Sequence, residues 1–163
     1  MSLSPRAVFA FVFVACAGLL AFAILYLQEE LGLEPCPMCI LQRYAFIAAG
    51  VTALVGAIHG RGLRVYGWLV LLFALLGAGV AVRHTYITYF PPIGGTCGAD
   101  LDFLMGNFPL TQALPKIFAG TGDCSVVKWR FLGLSIPEWS IVWFAIIGAI
   151  GLWVALRKTA ARS

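Results

Sequence analysis

Four stretches of this chain are long and apolar enough to cross a bilayer, and they restrict its fold before any other feature is considered. They fall at 7–27, 39–58, 65–82 and 139–156. Crossing the hydrocarbon core takes about 20 predominantly apolar residues in a helix. Lipid offers no partner to an open backbone N–H or C=O, so each stretch must satisfy its own hydrogen bonds by coiling. Of 163 residues, 61% are hydrophobic and 11% charged, against roughly 25% charged in a soluble domain. The expected class is an all-α membrane protein. It forms one domain over 1–163, a bundle of four transmembrane helices with a short outer loop at 28–38 and a long one at 85–135 between the third and fourth helices.

Basic residues give the orientation. Arg6 precedes the first span, Arg61 and Arg64 lie in the link between the second and third, and Arg157, Lys158 and Arg162 follow the fourth, with no acidic residue among them. All seven acidic residues, Glu29, Glu30, Glu34, Asp100, Asp102, Asp123 and Glu138, fall on the other side. Both termini are then expected in the cytoplasm. The net charge of +4 reflects this topology and gives no reason to invoke nucleic acid. Residues 1–27 superficially suggest a signal peptide, and 13–16 a lipoprotein cleavage site, but the apolar run continues too far beyond Cys16 for a signal h-region. Cys16, inside that span, reads as a packing residue. Gly50, Gly56, Gly67, Gly77, Gly79, Gly148 and Gly151 are small enough to let helices approach closely in lipid.

The remaining cysteines, Cys36, Cys39, Cys97 and Cys124, all fall on the outer, oxidising side, where disulfides persist. Cys36 and Cys39 form a Cys-x-x-Cys pair leading straight into the second span, with Arg43 one turn further in. If a helix starts at Pro37, whose missing N–H costs nothing there, Cys36 sits near the N-cap and Cys39 in the first turn. Its sulfur then faces unpaired backbone N–H groups and the positive end of the helix dipole, which favour thiolate. Arg43 shares that face. The uncharged run 44–58 alone has 15 residues and would cover only about 22 Å of a core about 30 Å thick, so the helix must begin near Cys39 with Arg43 at the boundary. Such pairs also occur in zinc sites and thioredoxin-like folds. No alternation of strand and helix surrounds this one, and no second closely spaced Cys or His pair completes a zinc tetrahedron. Redox chemistry is favoured, and no metal is expected.

Two structural bridges remain the alternative for four outer thiols. Closing a loop of about 27 residues between Cys97 and Cys124 stabilises a disulfide by roughly 3.5 kcal/mol, equivalent to about 75 mV toward the reducing end. A redox role there needs a loosely packed loop, which the glycines and prolines around Cys97 supply. It also needs an electron drain, which a lipid-soluble acceptor near Arg43 would provide. Residues 126–134 mix Trp129 and Phe131 with Lys128 and Arg130, a composition suited to the headgroup layer. Ser135 to Glu138 reads as a capping box opening the fourth span. His59 reads as a solvated loop residue. Arg83 and His84, at the outer end of the third span, read as snorkelling anchors or as part of a site beside Arg43.

Together, Cys36-Pro37-Met38-Cys39 with Arg43, His84-Thr85 leading to Pro91, Cys97, Gly122-Asp123-Cys124, Trp129, Phe131-Leu132-Gly133-Leu134 and Pro137-Glu138-Trp139 resemble the DsbB family of disulfide bond formation proteins along nearly the whole chain. The resemblance implies a bacterial inner-membrane protein-disulfide:quinone oxidoreductase. Such an enzyme reoxidises a periplasmic thiol oxidase similar to DsbA and passes the electrons to ubiquinone or menaquinone in the lipid bilayer. By the family pattern Cys97 would join the partner in a mixed disulfide and Cys124 would be its loop mate. Cys36 would exchange with that pair, and Cys39 would stand beside the quinone with Arg43 assisting. His84 and Trp129 match positions near the quinone or interface. Pro37, Met38 and Gln42 depart from the family pattern, which bears on the redox potential. A vitamin K epoxide reductase-type enzyme would carry its Cys-x-x-Cys near the last span, and a soft-metal transporter would carry cysteine pairs inside the spans.

Overall fold

The computed structural model describes residues 4–90 and 129–157. Cys97, Cys124 and most of the long loop lie outside the described residues, as do Lys158 and Arg162. The described chain forms α1 (Pro5–Ala21), a π-helical continuation (Phe22–Glu30), α2 (Pro37–His59), α3 (Leu63–Tyr89), a short hairpin of β1 (Arg130–Phe131) and β2 (Leu134–Ser135), and α4 (Ile136–Leu156). Among the described residues, four helices are long and apolar enough to cross a membrane.

Helix boundaries follow local chemistry more than the charge-free windows. Ser4 caps α1 by accepting from the Ala7 N–H at 3.2 Å. The first helix passes residue 27 and ends at Glu30, because the chain changes hydrogen-bond register to π without breaking. Helix α3 passes residue 82 to Tyr89. There Thr85 and Thr88 turn their hydroxyls back onto the Ala81 and His84 carbonyls at 2.9 and 3.0 Å, which hides their polarity against the helix itself. Gly60, at φ +66°, ends α2 in the left-handed conformation that a Cβ disfavours. His59 proves to be the last residue of α2, exposed, with Nδ1 2.8 Å from the Tyr66 hydroxyl.

The helices pack in sequence, α1 on α2, α2 on α3 and α3 on α4, while α1 and α4 scarcely touch. The tightest contact is between α3 and α4. A Cβ on Gly67 would lie 2.7 Å from the Ala155 nitrogen, and one on Gly151 would lie 2.9 Å from the Gly67 oxygen, so the two backbones meet through paired glycines. Gly77 makes room for the ring of Phe144, which stacks on Phe46 at 4.0 Å. Gly79 has nothing within 4 Å and serves no close approach. Phe9, Val12, Cys16, Val70, Phe144 and Ile147 form the centre of the core. Outward faces carry exposed Phe11, Val14, Val51 and Leu75, the reverse of a soluble helix and suited to hydrocarbon.

One end of the bundle is basic. Arg6 donates to the Ala57 and Ile58 carbonyls at 2.9 and 3.3 Å, and Arg64 donates to the Ala155 carbonyl at 3.1 Å. Each guanidinium meets the partially negative C-terminus of a neighbouring helix. The Cys-x-x-Cys pair lies at the opposite end.

Candidate functional site

Pro37 stands at the first position of α2, where its fixed φ suits the helix. Cys36, extended at φ −70° and ψ 161°, is the N-cap, and its carbonyl accepts from the Ile40 N–H at 3.2 Å. Met38 is fully buried and anchors the turn. Cys39 falls in the first turn, and its sulfur meets the Cys36 sulfur in a 3.2 Å hydrogen bond between thiols. Cys36 is buried, whereas Cys39 is only partly so. The pair sits where the length argument puts it.

His84 reaches this pair from α3. Its ring is 5% exposed, with Nε2 3.6 Å from the Cys36 sulfur and Nδ1 3.1 Å from the Gln42 side-chain nitrogen. An amide nitrogen only donates, so in this arrangement Nδ1 accepts and Nε2 carries the proton, directed at Cys36. Gln42, 3% exposed, is the site residue that sequence reasoning undervalued. The available signal was its spacing: Cys39, Gln42, Arg43 and Phe46 recur at the i, i+3, i+4, i+7 interval of one helix face, so a glutamine there is committed to the interior.

Arg43 does more than anchor the span. It donates to the Gln28 side-chain oxygen at 2.9 Å and to the Ala23 carbonyl at 3.3 Å, both in the π-helical segment. Segments of π-helix are rare and concentrate at functional sites. Here the segment borders a cavity of about 610 Å³. Cys36, Cys39, Gln42, Arg43 and His84 belong to its polar lining, with Glu34, Thr88, Ser135 and Ser140. Leu19, Leu20 and Phe22 wall one side and Trp139 and Trp143 the other, so the walls come from the two helices that scarcely touch.

An aromatic rim covers the cavity. Trp129 stacks on Phe131 at 5.8 Å and meets Phe22 edge-on at 6.1 Å, and the Trp139 indole N–H donates to the Phe131 carbonyl at 3.0 Å. The hairpin turns through Leu132 and Gly133, both at positive φ. It is fastened below by Glu138, whose carboxylate accepts from the Ser135 N–H at 2.6 Å, the Ser135 hydroxyl at 2.7 Å and the Tyr89 hydroxyl at 3.0 Å. The expected capping box therefore also ties the end of α3 to the start of α4. An apolar slot with aromatic walls and a few convergent donors at one end fits a flat, lipid-soluble ring bearing carbonyl oxygens.

Residues 5–154 match the family model described as "Disulfide bond formation protein DsbB". Similar proteins include "Disulfide bond formation protein B" of Aromatoleum aromaticum, 53% identical over 95% of each chain. The protein of the same name from Azoarcus sp. is 52% identical over 94% of this chain and 93% of its own. That of Marinobacter nauticus is 42% identical over 98% of this chain and 97% of its own. A match of this extent sets aside the vitamin K epoxide reductase-type and metal-transporter readings.

Proposed function

The chain belongs to the DsbB family of disulfide bond formation proteins, membrane oxidoreductases, and from that premise we propose that it reoxidises a reduced periplasmic DsbA-like thiol oxidase at the expense of membrane quinone. The observation that carries the proposal is the convergence of Cys36, Cys39, His84 and Arg43 on one largely apolar cavity. The partner's dithiol becomes a disulfide as the Cys97–Cys124 bridge is reduced through a mixed disulfide at Cys97. Cys97 and Cys124 then return to a disulfide by exchange with the Cys36–Cys39 bridge, leaving that pair as two thiols. Quinone, when bound, supplies the acceptor for two electrons and two protons.

The chain's own residues prepare each transfer. Cys36 is the N-cap and directly precedes the helix, so exchange at its sulfur need not disturb the α2 hydrogen-bond ladder. The Nε2–H of His84 faces that sulfur and stabilises the charge it takes on when it leaves or attacks. Cys39 borders the cavity one turn from Arg43, whose N–H donors suit a carbonyl oxygen and the charge developing there. Trp129, Phe131 and Trp139 add apolar aromatic surface to the cavity lining. The basic end of the bundle, with Arg6, Arg61, Arg64 and Arg157, supports a bacterial inner-membrane orientation with both termini cytoplasmic and the redox cysteines periplasmic.

The test is reconstitution with a reduced DsbA-like oxidase and either ubiquinone or menaquinone, following partner thiols and quinone together. One quinone should be consumed per partner disulfide formed, and serine at Cys36, Cys39, Cys97 or Cys124 should abolish the coupling. Cys124→Ser should accumulate a mixed disulfide through Cys97 on a non-reducing gel. Partner oxidation without quinone consumption, or full activity in Cys39→Ser, would overturn the reading.

A further inference from the structure

The reduced pair has a third ligand-capable neighbour that its spacing does not reveal. Among the described residues, the sulfurs of Cys36 and Cys39 and a ring nitrogen of His84 all lie within 4.8 Å of one another. We propose that the dithiol form of this site binds a thiophilic divalent cation of the Zn²⁺ type through Cys36, Cys39 and His84.

The distances are close to what such an ion requires. Tetrahedral bonds of about 2.3 Å to sulfur and 2.0–2.1 Å to nitrogen separate a sulfur from a nitrogen by about 3.6 Å and two sulfurs by about 3.8 Å. The Cys36 sulfur and His84 Nε2 already stand 3.6 Å apart, and the two sulfurs 3.2 Å. The two sulfurs must part, and the Cys39 sulfur, which lies within 4.8 Å of the His84 ring nitrogen, must settle at ligand distance from it; Cys39 borders the cavity, so its side chain has room to turn. Two sulfurs and one imidazole leave a fourth position for water, the open arrangement of Cys₂His zinc sites.

Gln42 makes the histidine usable in either role. With its nitrogen on Nδ1, His84 keeps the proton on Nε2 and donates to Cys36. With the amide turned over, the oxygen accepts from Nδ1–H and the Nε2 lone pair is released toward the ion, as second-shell partners of metal-bound histidines do. Binding displaces one proton from each thiol and transfers no electrons. The result, two thiolates with one divalent ion, is neutral, which spares this partly buried pair the cost of holding two negative charges. The disulfide form lacks the thiolate ligands and cannot bind in this way. On the functional reading above, occupancy also holds the pair reduced and stalls turnover.

The experiment uses the full chain carrying Cys97→Ser and Cys124→Ser, reduced, in detergent and free of quinone, titrated with Zn²⁺ against a chromophoric chelator. One ion per chain is expected, with Cys36 and Cys39 protected from alkylation and binding lost after oxidation to the disulfide. His84→Ala should weaken binding at least about tenfold, and Gln42→Leu by roughly 10- to 100-fold. Cys16→Ser should change nothing. Equal binding by the oxidised form, or wild-type affinity in both His84→Ala and Gln42→Leu, would overturn the site. Failure of the functional reading would appear elsewhere, as absent quinone turnover by the ion-free wild-type protein.

Discussion

His84 presents Nε2 to the Cys36 sulfur at 3.6 Å, and the tautomer that allows this is held by Gln42 on its other nitrogen at 3.1 Å. Replacing Gln42 by Leu removes its hydrogen bond to a buried imidazole nitrogen, which costs about 1–3 kcal/mol, and weakens the reason for the proton to stay on Nε2. Exchange between the two cysteine pairs should slow about tenfold, equivalent to roughly 1.4 kcal/mol in the barrier. Gln42→Glu should recover most of the rate, since a carboxylate pairs with an imidazolium that still donates from Nε2. Rapid-quench alkylation of the thiols measures both variants, and equal rates in wild type and Gln42→Leu would remove Gln42 from the mechanism.

How far the site could be read from sequence depended on the range of each interaction. The start of α2 at Pro37 and the depth of Arg43 followed from local rules, a proline and a span too short without them. The partners of Arg43 did not. Gln28 precedes Glu29 and Glu30 and reads as loop, because nothing in the residue pattern separates an i+5 hydrogen-bond ladder from the end of a helix. His84 could be placed at the boundary, but its contact with Cys36 and Gln42 depends on how α2 and α3 are rotated against each other. The rotation of α3 against α4 likewise decides that Gly77 receives Phe144 while Gly79 faces open space.

That distinction among glycines is testable. A Cβ on Gly67 meets backbone atoms of α4 that cannot swing aside, 2.7 Å from Ala155 and 2.8 Å from Gly151. Gly67→Val should therefore destabilise the bundle by about 1–3 kcal/mol or more, as overpacking does. Gly79→Ala, with nothing within 4 Å, should be neutral or slightly stabilising in a helix. Thermal unfolding in detergent should show a clear drop for the first and none for the second. Equal midpoints would contradict the paired-glycine contact.

Cys16 is buried on α1 against Gly50 of α2, where a Cβ on Gly50 would come within 3.6 Å of its sulfur. It lies outside the cavity that gathers Cys36 and Cys39. Cys16→Ala should cost on the order of 1 kcal/mol through the space it leaves, with quinone-coupled turnover unchanged. Loss of turnover in a folded Cys16→Ala protein would mean a third redox group.

Arg43 joins two tasks, fastening the π-helical segment through Gln28 and Ala23 and presenting N–H donors to the cavity. Gln28→Leu removes the side-chain bond that Arg43 makes to the segment while keeping the cation, so a fastening role predicts that this variant and Arg43→Ala fail alike. A binding role predicts a split. Arg43→Ala should raise the apparent KM for quinone at least about tenfold, the loss of a charged hydrogen bond of roughly 1.5–3 kcal/mol, whereas Gln28→Leu should change it by much less. Arg43→Lys should restore the charge and only part of the affinity, because an ammonium cannot reproduce the planar fork of donors. Steady-state kinetics at varied quinone, with membrane insertion checked by the yield of folded protein, separates the two. Wild-type KM in Arg43→Ala would leave Arg43 as a fastening residue alone.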